Sequence, residues 1–136
     1  MAAQLYTGRC LCGATRWSAR GPASNLCCCH CRSCRGAGSA PFVGWATFAR
    51  AGFSFAGAEP RGYRSSPPVV RRFCAMCGSP LTYEHERRPD ELDVALATLD
   101  EPGALRPECH IWVSHKLPWV ALGDGLPQHA EWRKGG

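Results

Sequence analysis

A chain of 136 residues, 45% hydrophobic and 20% charged, is long enough to bury a modest core as one domain, residues 1–136, without disulfide staples. Its formal charge of +5 is spread thinly, and no stretch reaches the roughly 18 uninterrupted apolar residues of a membrane span, so neither a nucleic acid partner nor a membrane is expected. The N-terminus carries no basic and apolar leader, and ten cysteines in clustered C-x-C and C-x-x-C spacings suit metal in a cytoplasmic protein better than five disulfides.

In chain order, Gly8 to Gly13 reads as a tight Cys10-x-Cys12 knuckle, followed by alternating residues Ala14 to Arg20 that predict a strand. Gly21-Pro22 breaks it, and Asn25 to Cys29 runs back as a second strand. Residues Arg35 to Ser39, rich in glycine, read as a loop. Strands are predicted at Phe42 to Phe48 and Phe53 to Phe55, separated by a turn at Ala51-Gly52, and at Gly62 to Ser65 and Val69 to Phe73 around Pro67-Pro68. A second knuckle, Cys74-x-x-Cys77-Gly78, leads into strands Leu81 to His85 and Leu92 to Ala97. Between them Arg87-Arg88 is followed at once by Pro89-Asp90-Glu91, a solvated turn rather than a binding run. A last strand is expected over Glu108 to Ser114, and the tail from Val120 to Gly136 is polar and irregular. Helical periodicity is never held for three turns, so the fold class is mainly β, built from antiparallel sheets.

Two groups of cysteines carry chemistry. Cys10, Cys12, Cys74 and Cys77 form paired knuckles whose glycines permit the positive-φ turn that brings backbone amides toward sulfur. Four thiolates complete a tetrahedral structural zinc site. Joining the knuckles costs roughly 3.7 kcal/mol of loop-closure entropy, against about 10 to 16 kcal/mol for a structural zinc ion, so the metal prevails.

The densest stretch is Leu26 to Gly36, which holds five of the ten cysteines and one of the five histidines. Within it, Cys29-x-Cys31-x-x-Cys34 has no further knuckle to complete it. Three ligands and an open position describe a reactive zinc. Such a site holds an incoming thiol as thiolate, whereas a free thiol of pKa about 8.5 is only about 3% ionised at pH 7. Alternatively Cys27, Cys109, His30 or His110 closes the site and makes it structural. Cys27 shares a strand face with Cys29, whereas Cys28 points the other way as a small core residue. If seven thiolates hold two divalent ions, the formal charge of +5 falls by three, to about +2.

The motifs Gly8 to Trp17, Cys29 to Arg35, Phe73 to Leu81, Leu99-Asp100 and His110 to Lys116 with Trp119 resemble the glutathione-dependent formaldehyde-activating enzymes and their centromere-protein-V-like relatives, across nearly the whole chain. The resemblance implies a β-tent fold with two zinc ions, a structural one on Cys10, Cys12, Cys74 and Cys77 and a catalytic one on Cys29, Cys31 and Cys34. It also implies a carbon–sulfur lyase, S-(hydroxymethyl)glutathione synthase-like, in which zinc-held glutathione adds to formaldehyde or another small electrophile.

Around that site, Arg32 and Arg35 are candidates to pair with substrate carboxylates, Lys116 is a further substrate-binding candidate, and His110 is a candidate catalytic proton donor or metal-orienting group. Trp112 and Trp119 read as core and lid, and His85 and His129 as surface. The competing class is a non-catalytic two-zinc binding or scaffold module, although no disordered basic extension supports it. A sulfur redox enzyme acting through Cys109 lacks the surrounding motif, and a nucleobase deaminase would need an H-x-E before P-C-x-x-C that this chain does not have.

Overall fold

The computed structural model describes residues 3–133. Among these residues, ten strands and one short α-helix follow in chain order, with three single-turn 3-10 helices between or after them: β1 Leu5–Arg9, β2 Thr15–Arg20, β3 Ser24–Cys29, α1 Arg32–Gly38, β4 Val43–Ala49, β5 Phe53–Gly57, β6 Arg61–Ser66, β7 Val69–Phe73, β8 Pro80–His85, β9 Glu91–Ala95 and β10 Cys109–Ile111. They form a three-stranded sheet, β1-β2-β5, and a seven-stranded sheet, β10-β3-β4-β9-β8-β7-β6. No helix among the described residues is long and apolar enough to cross a membrane.

Side-chain alternation gives the large sheet two different faces. Ala46 and Phe48 of β4, Leu81 of β8 and Val94 of β9 turn one way and pack with Trp17 and Ala19 of β2, joining the two sheets in one core. Phe48 and Leu81 are fully buried, each worth about 1.5 to 3 kcal/mol of hydrophobic stabilisation. Cys27 and Cys29 of β3, Trp45 of β4, Ala95 of β9 and Cys109 and Ile111 of β10 turn the other way, into a second cluster with Cys34. Cys28 is buried on the face opposite Cys27 and Cys29, as the alternation predicts.

Three expectations change. The sheets are antiparallel except where β10 runs parallel to β3, with Cys109 beside Cys27 and Ile111 beside Cys29. Its direction is set by a crossover: after β9 the chain runs along the β1 edge of the small sheet, where Asp100 N donates to Thr7 O at 3.0 Å, and returns along β3, where Glu108 N donates to Leu26 O at 2.8 Å. The last strand is also shorter than Glu108 to Ser114, because Trp112 takes φ 57 and ends the extended run. Finally, the expected loop at Arg35 to Ser39 is largely helix. Cys31 caps α1, its Sγ accepting from Cys34 N, and Ser39 closes the helix in a left-handed conformation.

The two rims of the large sheet differ. β6 is exposed along its whole length, with Arg64 paired to Glu86 at 2.8 Å. Residues 127–131 of the tail cover β10: His110 N donates to Pro127 O at 2.9 Å and His129 N donates back to His110 O at 2.9 Å. The tail from 120 to 133 otherwise lacks regular structure, as expected, and residues 134–136 lie outside the described residues.

Candidate functional site

The two knuckles meet at the end of the small sheet. Cys10 and Cys12 follow β1, Cys74 and Cys77 follow β7, and all four sulfurs lie within 4.8 Å of one another. The Cys10–Cys12 and Cys12–Cys74 separations are 3.6 and 3.8 Å. A tetrahedron with metal–sulfur bonds of about 2.3 Å has edges of about 3.8 Å, so the spacing fits a four-thiolate metal site. Gly13 and Gly78 have φ of +78° and +81°, the left-handed conformation expected of the knuckles. The turns aim amides at sulfur: Thr15 N donates to Cys10 Sγ at 3.3 Å, Ala14 N to Cys12 Sγ at 3.5 Å and Met76 N to Cys74 Sγ at 3.3 Å. Such donors favour thiolates.

The second group lies on the outward face of the large sheet. Cys29 ends β3, Cys31 caps α1 and Cys34 sits in its first turn, and the three sulfurs lie within 4.8 Å of one another. Cys29 and Cys34 are buried, whereas Cys31 is partly exposed. Hydrogen bonds from Cys29 and Cys34 hold the Cys31 thiol far below its ordinary value, to about 2. The shared bond with Cys31, reinforced by Cys34 and by burial, pushes Cys29 far up. The first negative charge is therefore welcome and the next is resisted, which is the electrostatic setting a divalent cation relieves.

None of the candidates for a fourth ligand joins this group within the same distance, among the described residues. Burial raises the thiols of Cys27, to about 12, and of Cys28, to about 11, and also raises that of Cys109. These three are neutral core groups at physiological pH. His30, between two of the clustered cysteines, turns its ring to His110, with Nε2 to Nδ1 at 2.9 Å. Burial first, and the neighbouring His110 second, lower the His30 value to about 4.

His110 is buried and bonded at both ring nitrogens, its Nε2 to Asp124 Oδ2 at 2.7 Å. The bond to His110, together with the Leu126 amide, holds the Asp124 carboxyl below its usual range. From sequence His30 is a candidate ligand only, and Asp124, in a polar tail, is not singled out. Its only local signal is the Gly123-Asp-Gly125 turn pattern.

Arg32 and Arg35 come together on α1 at an open cavity of about 440 Å³ lined also by Ser39, Pro41, Leu117 and Trp119. Arg35 Nε is buried without a hydrogen-bond partner. Trp119 is 71% exposed at this cavity, in a lid-like place, while Trp112 packs against the cysteine cluster and meets Trp132 edge to face. Lys116 Nζ donates to Leu117 O at 3.3 Å and Val120 O at 2.6 Å, so two of its three protons serve the backbone.

Likenesses to known proteins place the chain in a family. Residues 5–115 match the family model described as glutathione-dependent formaldehyde-activating enzyme. Over 80 residues the chain is 34% identical to an uncharacterized lyase of Schizosaccharomyces pombe, a stretch that is 59% of this chain and only 58% of that relative's length. The crystal structure of a Rhodobacter sphaeroides protein superposes with a TM-score of 0.61 at 22% identity, covering 74% of this chain and 97% of the other, a likeness of fold alone. With the model matched over most of its length and both cysteine groups assembled, the chain belongs to the glutathione-dependent formaldehyde-activating enzyme family.

Proposed function

We propose that this chain is a zinc-dependent carbon–sulfur lyase-type enzyme of the cytoplasm, S-(hydroxymethyl)glutathione synthase-like, that binds glutathione or another small thiol and joins it to formaldehyde or another small electrophile. The observation that carries the reading is the three-cysteine group without a fourth protein ligand among the described residues, whose Cys34 sits on the same short helix as two arginines that line an open cavity. Cys10, Cys12, Cys74 and Cys77 would hold one zinc ion closed, and Cys29, Cys31 and Cys34 would hold the other. A zinc ion held by Cys29, Cys31 and Cys34 would lower the pKa of an incoming thiol and keep its sulfur nucleophilic at neutral pH.

The chain's own residues supply the rest. Arg35 and the more exposed Arg32, which line that cavity, offer forked donors to substrate carboxylates. Trp119 and Leu117 give the cavity an apolar wall beside those charges. In the addition, sulfur forms a bond to the carbonyl carbon, the carbon–oxygen π pair moves to oxygen, and the thiol proton ends on that oxygen. The reverse reaction breaks the same carbon–sulfur bond, hence the lyase class.

The test is thiol binding to the zinc-loaded protein by calorimetry, repeated with cobalt substitution to follow the thiolate charge-transfer band. Glutathione should bind wild type and lose its cobalt signature in Cys31→Ser. Absent binding, or binding indifferent to Cys31→Ser, returns the chain to the scaffold class.

A further inference from the structure

The tail beyond residue 115 lies outside the stretch matched to the family, yet it reaches the support of the three-cysteine group. Residues 127–131 run beside β10 and its sequel, with Trp112 N donating to Glu131 O at 2.9 Å and Val113 N to His129 O at 3.1 Å. Before that stretch, Asp124 places one oxygen on each of two donors. Oδ1 accepts from Leu126 N at 3.0 Å and Oδ2 from His110 Nε2 at 2.7 Å.

Proton positions in this chain follow from what each group can do. A carboxylate only accepts, so His110 Nε2 carries its proton, and a neutral His110 then offers a lone pair at Nδ1. In that tautomer His30 Nε2, 2.9 Å away, donates to it. His30 Nδ1 is left as a bare lone pair, buried and without a partner. His30 and His110 are 0% and 1% exposed, so water does not compete for the bond between the two rings, while the half-exposed Asp124 anchors the chain from the surface side.

His30 is the residue between Cys29 and Cys31. Its backbone N donates to Ile111 O at 3.0 Å while its ring is tied to His110. Two successive residues of β10 therefore grip the residue that spaces two of the three thiols, one through main chain and one through side chain. We propose that Asp124 is a positioning residue of the three-cysteine site, acting through His110 and His30 to hold the Cys29–Cys31 loop in ligating geometry. This role rests on the reading of Cys29, Cys31 and Cys34 as a metal site. It assigns to the tail a function at that site and none at the knuckle site, whose four ligands come from Cys10, Cys12, Cys74 and Cys77.

Asp124→Asn is the informative change, because an amide has one acceptor oxygen where the carboxylate uses two. It must give up Leu126, give up His110, or present its NH2 to His110 and invert the chain. Cobalt titration of the full chain, followed by the d–d bands and by competition with a chelator, reads each site. Wild type should take two ions. In Asp124→Asn the four-sulfur site should keep its affinity while the three-sulfur site weakens by about 10- to 100-fold with an altered d–d band, and the His30 and His110 ring 15N shifts should change. Equal affinity and spectra in the variant, with two ions bound by wild type, overturn the positioning role and leave the metal reading standing. Equal weakening of both sites also overturns it, as general destabilisation. A single ion in wild type, at the knuckles, overturns both readings.

Discussion

The two cysteine groups use the same donor atom for opposite architectural purposes. Cys10, Cys12, Cys74 and Cys77 bring together segments 62 positions apart, and the β-strands between them are held in one closed loop. Cys29, Cys31 and Cys34 span six consecutive positions, so linking them closes almost nothing that the chain has not already closed. A metal at the first group does its work on the whole fold. One at the second adds little to the fold, which leaves its coordination free to serve chemistry.

The sharpest way to break this contrast is to remove one ligand from each group. Cys74→Ser, or a strong chelator, should abolish the cooperative melt and the near-ultraviolet circular dichroism, because a structural zinc ion worth about 10 to 16 kcal/mol matches or exceeds the usual total stability of about 5 to 15 kcal/mol. Cys31→Ser should keep a cooperative melt and lose only thiol binding. A folded Cys74→Ser chain, or an unfolded Cys31→Ser chain, would show that the division of labour is misassigned.

A smaller effect sharpens the chemical side. Charge-assisted hydrogen bonds are worth about 1.5 to 3 kcal/mol when protected from water, so Arg35→Ala should weaken calorimetric binding of an anionic thiol by roughly 10- to 100-fold. Arg32 is exposed, and Arg32→Ala should cost about 1 kcal/mol or less, fading further in salt. The reverse order would move the carboxylate site to the outer side of α1.

The smallest effect concerns the tail. Because the His110 bond and the Leu126 amide depress the Asp124 carboxyl, its stabilisation is fully present above the ordinary carboxylate value and is lost as pH falls through the lower folded value. The gap in melting temperature between wild type and Asp124→Asn should therefore close in acid. A gap undiminished well below the ordinary carboxylate range would mean that the charge of Asp124 is not what holds the tail.

Much of the frame could be read in the chain because its signals are local. Knuckle glycines, C-x-x-C spacing and alternation in residues such as Trp17 and Phe53 to Phe55 each act within a few positions. Helix α1 escaped because Gly36 and Gly38 argue against helix, while the features that make it, a Cys31 cap and a buried Cys34, depend on the cysteine cluster itself. Strand direction at β10 escaped because alternation is the same in both directions and the crossover that decides it involves Thr7 and Asp100. The Asp124–His110–His30 chain joins residues 14 and 80 positions apart, and a Gly-Asp-Gly turn in a polar tail does not tell that its carboxylate will meet a buried imidazole.

The rims of the seven-stranded sheet carry a last consequence. An open strand edge is a template for another chain. On β6 the edge strand bears Arg61, and Arg64 in its pair with Glu86, and is exposed throughout, so an approaching copy meets a charged edge. On β10 the guard is the tail, whose backbone occupies the outward groups of His110. A chain shortened before residue 127 would keep every cysteine named above and still present a bare edge beside Cys109 and Ile111. Such a chain should gather into sheet-paired assemblies, with solubility failing ahead of folding.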